Sequence, residues 1–303
     1  MTEIILHHYD RSPFAEKVRL VFGLKNVSWR AVDIPVFMPK PDLIPLTGGY
    51  RRTPVMQIGA DVFCDTRLIL REIDRRFPTP PLYRPGGGGL IAAWADSTLF
   101  VNAVGVVFGT FADQMPKEFK EDRVKTSNGL FDADRLKAEQ PAQRAQHRAY
   151  MRAIESELSD GHTYLQGNAP GIADFAVYHC VWFVSARVKE LDFLAGCPLL
   201  RAWRDRMAGF GQGMRTPLSP ADALAIARES TPMPVAPALC DDLGGCALGQ
   251  EIEVAANDYG RDPVRGVLLS IDDNEIIIAR RDPALGEVNV HFPRIGFDVM
   301  PAS

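Results

Sequence analysis

Apolar positions in the first 77 residues switch repeatedly between strand and helix spacing. EIILHHY is a short apolar run with the length of a buried strand. Phe14, Ala15, Val18, Val21 and Phe22 then recur on one helical face, behind a Ser12–Pro13 pair suited to a helix start, until Gly23 ends the turn. VSWRAVDI returns to strand pattern, so this order predicts a βαβ unit with a right-handed crossover. TPVMQIG and DVFCD, parted by Gly59 and Ala60, predict a β-hairpin. Asp65 or Thr66 then caps a helix carrying Leu68, Ile69, Ile73 and Phe77.

Two stretches break the pattern. FPTPPLYRPGGGGL, residues 77–90, and STPMPVAP, residues 230–237, are rich in Pro and Gly that neither helix nor central strand accepts. Between them the spacing is helical. LIAAWADSTLFVNAVGVVFGTF is almost continuously apolar, but Asp96 and Asn102 interrupt it, which predicts a bundle helix rather than a membrane span. A second helix is expected after Pro141, running through Tyr150, Met151, Ile154 and Leu158 to Gly161, and GIADFAVYHCVWFVSARV, apolar nearly all round, reads as a central core helix. Past residue 248 the period shortens: QEIEVAA, VRGVLLSID, EIIIARR and EVNVHF are β-branched runs separated by turn-rich segments. The expected division is residues 1–82 as an α/β domain, 90–229 as an all-helical domain, and 246–303 as a small all-β domain, a barrel or sandwich of four or five strands.

Composition narrows the class. With 46% hydrophobic and 24% charged residues over 303 positions, the chain reads as a soluble multidomain protein. A net charge of −4 and no long Lys/Arg run point to no nucleic acid, and no membrane contact is expected. The amino terminus shows no secretion signal, and five cysteines without CxxC spacing fit reduced thiols, so the expectation is a cytoplasmic protein. His7, His8 and His179 lack partners at metal-ligand spacing, and no metal is expected.

The residues that could carry chemistry cluster in the first segment. Ser12 fits two roles, a helix cap or a hydroxyl that acts on a ligand, and local pattern leaves both open. Tyr9, at the end of the first strand, is a rival donor. Arg11, Arg51 and Arg52 could hold an anion or stay solvated, and Gln57 and Asp61 read as hairpin residues. Phe100, Val104, Phe108 and Phe111 recur at helical spacing, the pattern of a core stripe as much as of an apolar pocket. In the last segment Arg261, Arg265, Arg280, Arg281, Arg294 and His291, balanced by nearby aspartates, read as a solvated surface.

YDRSPFAEKVRL, TPVMQIGADVFCDT and GIADFAVY, in this order and spacing, resemble the glutathione transferase family over roughly residues 1–229. The resemblance implies a thioredoxin-like domain followed by an all-helical domain, and a Ser-type enzyme in which Ser12 faces the glutathione sulfur. It places Pro54 at the family's cis-proline, with Val55 beside it offering backbone groups to the cysteinyl part of the tripeptide. Asp65 and Thr66 then fall at the helix start that receives the γ-glutamyl carboxylate, and Tyr9 and Arg52 lie close to the same pocket. Gly171 stands where the family commonly has a Ser or Thr cap, with Asp174 three residues on, and the C-terminal β segment is an addition to the two-domain pattern.

What the resemblance implies is an enzyme that activates the glutathione thiolate for attack on a small hydrophobic electrophile, in the manner of a homodimeric detoxification transferase, with glutathione as co-substrate. A scaffold whose β segment recruits a partner, and a glutathione-dependent peroxidase or isomerase, stay open as alternatives.

Overall fold

A computed structural model describes residues 3–127, 131–240 and 245–302; Met1 and Thr2 of the amino terminus read above, and Ser303 of the C-terminal segment, lie outside the described residues. The chain forms two compact units. Met1–Ala15, Ser28–Ile73 and Met214–Ser303 make the first, Glu16–Val27 and Asp74–Gly213 the second.

The first segment follows the predicted order: β1 (Ile5–His8), α1 (Pro13–Leu24), β2 (Ser28–Asp33), a single-turn α2 (Ile44–Thr47), β3 (Val55–Ile58), β4 (Asp61–Cys64) and α3 (Thr66–Arg76). β1 pairs parallel with β2 and antiparallel with β3, and β3 and β4 form the expected hairpin, turned by Gly59 at φ +63°. Every residue of β1, β3 and β4 is buried, which explains why these runs do not alternate. Two polar residues inside the layer satisfy each other: His7 Nε2 lies 2.8 Å from Gln57 Oε1, and burial lowers the His7 pKa to about 4. Gln57, read as a hairpin residue, lies in the hairpin fully buried and donates through Nε2 to the carbonyls of Gly59 and Ala223.

The second unit is helical: α4 (Gly88–Trp94), α5 (Phe100–Thr110), α6 (Lys117–Thr126), α7 (Ala133–Glu157), α8 (Ile172–Arg187) and α9 (Pro198–Ala208). A π-helical turn at Ala95–Leu99 joins α4 to α5, so Gly88–Thr110 is one run, long and apolar enough to cross a membrane by length and composition. Its polar interruptions are answered by protein. Lys17 Nζ donates to both Asp96 oxygens at 2.8 Å; Asn102 Nδ2 donates to the Gln143 carbonyl at 3.0 Å, while its Oδ1 lies 2.8 Å from His147 Nδ1. α7 does not begin after Pro141 as expected; the Asp132 side chain accepts from the Arg135 N–H at 2.8 Å and caps the helix nine residues before the proline, which rides inside it. At α8, Asp174 accepts from the Gly171 and Leu165 N–H groups and from Trp203 Nε1, so the carboxylate half of the cap survives although Gly171 brings no side chain.

The chain re-enters the first unit earlier than its composition suggests. Within the stretch expected to be helical, β5 (Met214–Pro217) pairs parallel with β2, and α10 (Pro220–Glu229) follows. All four β5 residues are exposed, so the strand has no alternation for a sequence to display. The expected C-terminal strands are β6 (Glu251–Ala256), β7 (Val264–Ile271), β8 (Glu275–Asp282), β9 (Gly286–Pro293) and β10 (Phe297–Pro301). They continue the N-terminal sheet: β9 pairs parallel with β4, giving the order β10-β6-β7-β8-β9-β4-β3-β1-β2-β5. A barrel or sandwich of its own was expected, but the free edge of β4 offers N–H and C=O groups that β9 takes up. One apolar cluster accordingly spans both ends of the chain, with Ile5, Val55 and Val62 packed in the same core as Ile252, Ile278 and Phe292. Each such side chain contributes roughly 1.5–3 kcal/mol when fully buried.

Candidate functional site

Strand register gathers the expected site residues at one end of the sheet. His7 of β1 pairs with Val55, the first residue of β3, and Val55 pairs with Cys64, the last of β4. The segments that leave or enter the sheet there are Tyr9–Ser12, Thr53–Pro54 and Asp65–Thr66. Two helices of more than two turns, α1 and α3, start at that end, each presenting N–H groups that lack partners within the helix and a partial positive charge.

Ser12 is 2% exposed, and its Oγ accepts from the Ala15 N–H at 3.2 Å, the geometry of an N-cap. Its own N–H donates to the Tyr9 carbonyl at 3.1 Å, which folds the turn between β1 and α1. The hydroxyl proton meets no acceptor among the described residues. The cap therefore consumes lone-pair capacity and leaves the proton for a ligand anion, so the two roles suggested for Ser12 are compatible. Tyr9 is half-buried against the core cluster of the same unit.

The Thr53–Pro54 bond is cis, and Val55 beside it begins the ladder. Asp65 adopts φ +70°, its Oδ1 accepts from the Arg67 N–H at 2.8 Å, and its carbonyl accepts from the Ile69 N–H, so Asp65 caps α3 and Thr66 is its first residue. Burial, with the Asp65 charge next in effect, raises the Cys64 thiol well above its usual value; this cysteine is a protonated core residue rather than a nucleophile. Arg52 is not solvated: its side chain is 11% exposed, its Nη2 donates to Asp258 Oδ1 and to the Tyr259 carbonyl, and its guanidinium lies 4.4 Å from the Tyr259 ring centroid. Arg51 is covered as well, 8% exposed and paired with Asp262 at 3.2 Å, whereas Arg11 is exposed.

Sequence reasoning passed over two residues here, Lys40 and Tyr50. Lys40, 2% exposed, donates at 2.8 Å to the Arg51 carbonyl and to Thr53 Oγ1, fixing the residue before the cis-proline; a lone lysine in a loop carries no signal of this. Tyr50 is buried between Phe292 and Phe297, and burial, aided by the Asp65 charge, pushes its phenol well above the usual range. Asp61, read as a hairpin residue, opens β4 of that hairpin and is 1% exposed: it lies 2.9 Å from His291 Nε2 and accepts from the Met233 N–H at 2.8 Å. His291, expected on a solvated surface, is 4% exposed and also meets Glu275 at 2.7 Å. Of the expected apolar stripe, Phe100 and Phe108 are half-buried and pack on other rings of the helical unit, Phe183 among them. Among the described residues no group of three or more His, Cys, Asp or Glu is placed to hold a metal ion.

Comparison with known proteins decides the family. Residues 6–81 match the family model for the glutathione S-transferase N-terminal domain, and residues 111–209 that for the C-terminal domain. A GST-like protein from Pseudomonas syringae is 40% identical, with 100% of each chain covered and a TM-score of 0.81. The chain belongs to the glutathione S-transferase family. Comparison with curated proteins gives no match. Two further structures show the transferase fold alone: FzlA from C. crescentus, 21% identical over 68% of this chain and 87% of that one, and a glutathione S-transferase from Rhodospirillum rubrum F11, 18% identical over the same shares, both with a TM-score of 0.53. The full-length match to the P. syringae protein shows that this transferase-family architecture recurs with its C-terminal strands attached.

Proposed function

We propose that the chain binds glutathione at the Ser12, cis-Pro54 and Asp65–Thr66 end of its sheet and presents the tripeptide as a thiolate to a small apolar electrophile. The observation that carries this reading is the Ser12 hydroxyl, whose oxygen caps α1 while its proton has no acceptor among the described residues. A free thiol of pKa near 8.5 is only a few per cent ionised at neutral pH. Lowering that value by about two units takes roughly 2.7 kcal/mol of preference for the anion, the sum of one charge-assisted hydrogen bond and a helix N-terminus. Ser12 and α1 supply both. The thiol proton leaves to solvent and the sulfur lone pair forms a C–S bond to the electrophilic carbon; the displaced electron pair departs with the halide of an aryl halide, or moves onto the oxygen of an epoxide or enone, which takes up a proton from solvent. The start of α3, capped by Asp65, suits the γ-glutamyl carboxylate through the free N–H groups of its first turn.

The test is turnover with aryl halide, epoxide, enone and hydroperoxide probes in the presence of glutathione. Glutathione-dependent turnover of the first three that drops roughly tenfold to a hundredfold in Ser12→Ala supports conjugation, by the size of one charge-assisted bond. Turnover of the hydroperoxide alone moves the assignment to peroxidase chemistry. A protein that binds no glutathione at millimolar concentration defeats the reading.

A further inference from the structure

The loop that enters cis-Pro54 is held by the C-terminal strands. Gly48 (φ +73°) leaves no room for a Cβ because the Arg280 guanidinium of β8 lies against it, and Arg280 Nη1 donates to the Pro45 carbonyl at 3.2 Å. Tyr50 is wedged against Phe292 and Phe297 of β9 and β10. Arg51 pairs with Asp262, and Arg52 with Asp258 and the Tyr259 carbonyl, in the turn between β6 and β7. The Arg52 guanidinium lies over the Tyr259 ring, and its buried Nε has no hydrogen-bond partner. On the other side Lys40 ties down Arg51 and Thr53. Thus Gly48, Tyr50, Arg51 and Arg52 are each gripped by residues more than 200 positions later in the chain.

We propose that the C-terminal strands are a working part of the ligand site, with Asp258 and Tyr259 as positioning residues that set the cis-Pro54 loop, and through it the affinity for glutathione. The proposal rests on the glutathione reading for its ligand and on loop geometry for everything else. Appended strands that only extended the sheet from β4 would have no need to pair with Arg51 and Arg52 in the loop that leads into β3. Asp258 and Asp262 also offset the two arginine charges beside the cis-proline, so the strands shape the charge of the site as well as its backbone.

The experiment compares full-length wild type with Tyr259→Ala, Tyr259→Phe, Asp258→Asn and, as a control in the same strands, Glu253→Gln, whose partner Arg265 lies opposite it on β7. Amide hydrogen exchange reads the loop at residues 48–53 without any ligand, calorimetry reads the glutathione Kd, and absorbance reads the bound thiol's pKa. Tyr259→Ala and Asp258→Asn are expected to speed loop exchange and weaken glutathione about tenfold, the size of a lost cation–π or ion contact in a coupled network, with the thiol pKa unchanged. Tyr259→Phe and Glu253→Gln should match wild type. Loop exchange at the wild-type rate in both Tyr259→Ala and Asp258→Asn overturns the proposal. Faster loop exchange with unchanged glutathione affinity overturns its ligand half. A wild type that binds no glutathione defeats the proposed function instead, while exchange still decides the loop's dependence on Asp258 and Tyr259.

Discussion

His291 is the most exacting test of the joint between the C-terminal strands and the rest of the sheet. It lies on β9 opposite Phe63 of β4, its ring stacked on that phenylalanine at 4.4 Å, with Asp61 Oδ1 at 2.9 Å on one nitrogen and Glu275 Oε1 at 2.7 Å on the other. Burial alone would lower its pKa, but the hydrogen bonds and charges of Asp61 and Glu275 prevail and raise it above 6.5. A group whose folded pKa is raised contributes stability that is fully present below its unfolded pKa and is lost as pH rises through the folded value. In His291→Leu the Asp61 carboxylate, 1% exposed, keeps among the described residues only the Met233 N–H and a long 3.5 Å contact from Asn289 Nδ2. Breaking such a buried pair costs about 3–5 kcal/mol, which corresponds to a Tm lower by roughly 6–20 °C at pH 6. Scanning calorimetry from pH 6 to pH 9 should show that deficit shrinking as the wild type loses its own imidazolium. Removing the orphaned charge as well, in Asp61→Asn/His291→Leu, should restore part of the loss. A deficit under 2 °C at pH 6, or one of constant size across the pH range, would refute the argument.

Other expectations follow from the same kind of accounting. Burial lowers His147 to a pKa of about 4, so native protein resists its protonation and loses stability as pH falls from 6.5 towards 4, by about 3 kcal/mol in all; thermal melts of His147→Gln should show a correspondingly flatter acid limb. Asp174→Ala strands three donors, the N–H groups of Leu165 and Gly171 and Trp203 Nε1, and should cost about 3–5 kcal/mol in denaturant unfolding followed by tryptophan fluorescence, whereas loss below 1 kcal/mol would deny its role as the anchor of α8. Ser12→Ala loses a cap as well as a hydroxyl, so it should lower stability by about 1 kcal/mol in the same denaturant assay even without ligand.

What the sequence showed and what it hid divide along physical lines. Local patterns were legible: the Ser12–Pro13 helix start, the Gly59–Ala60 hairpin and the polar breaks at Asp96 and Asn102 all rest on interactions within a few residues or on one helix face. Pairing between distant segments was not. That β9 would take the edge of β4, or that Met214–Pro217 would join β2, is decided by edges left open elsewhere in the fold, and nothing in EVNVHF or MRTP names its neighbour. Charged residues suffered most. Arg51, Arg52 and His291 look like solvated surface one at a time and Asp61 like a hairpin residue; Arg51 meets Asp262, Arg52 meets Asp258 and Asp61 meets His291 only when both ends of the chain are brought together. Tyr50 and Lys40 gave no signal because their roles lie in closing a loop whose other wall comes from β6 to β10.

Whether the hydroxyl capping α1 also holds a glutathione thiolate is read from the ultraviolet thiolate absorbance of bound glutathione against pH in wild type and Ser12→Ala. The bound thiol pKa is expected about two units below 8.5 in wild type, rising by about one to two units in Ser12→Ala with the tripeptide still bound. Equal bound pKa values in the two proteins would contradict it, leaving Ser12 a helix cap and nothing more.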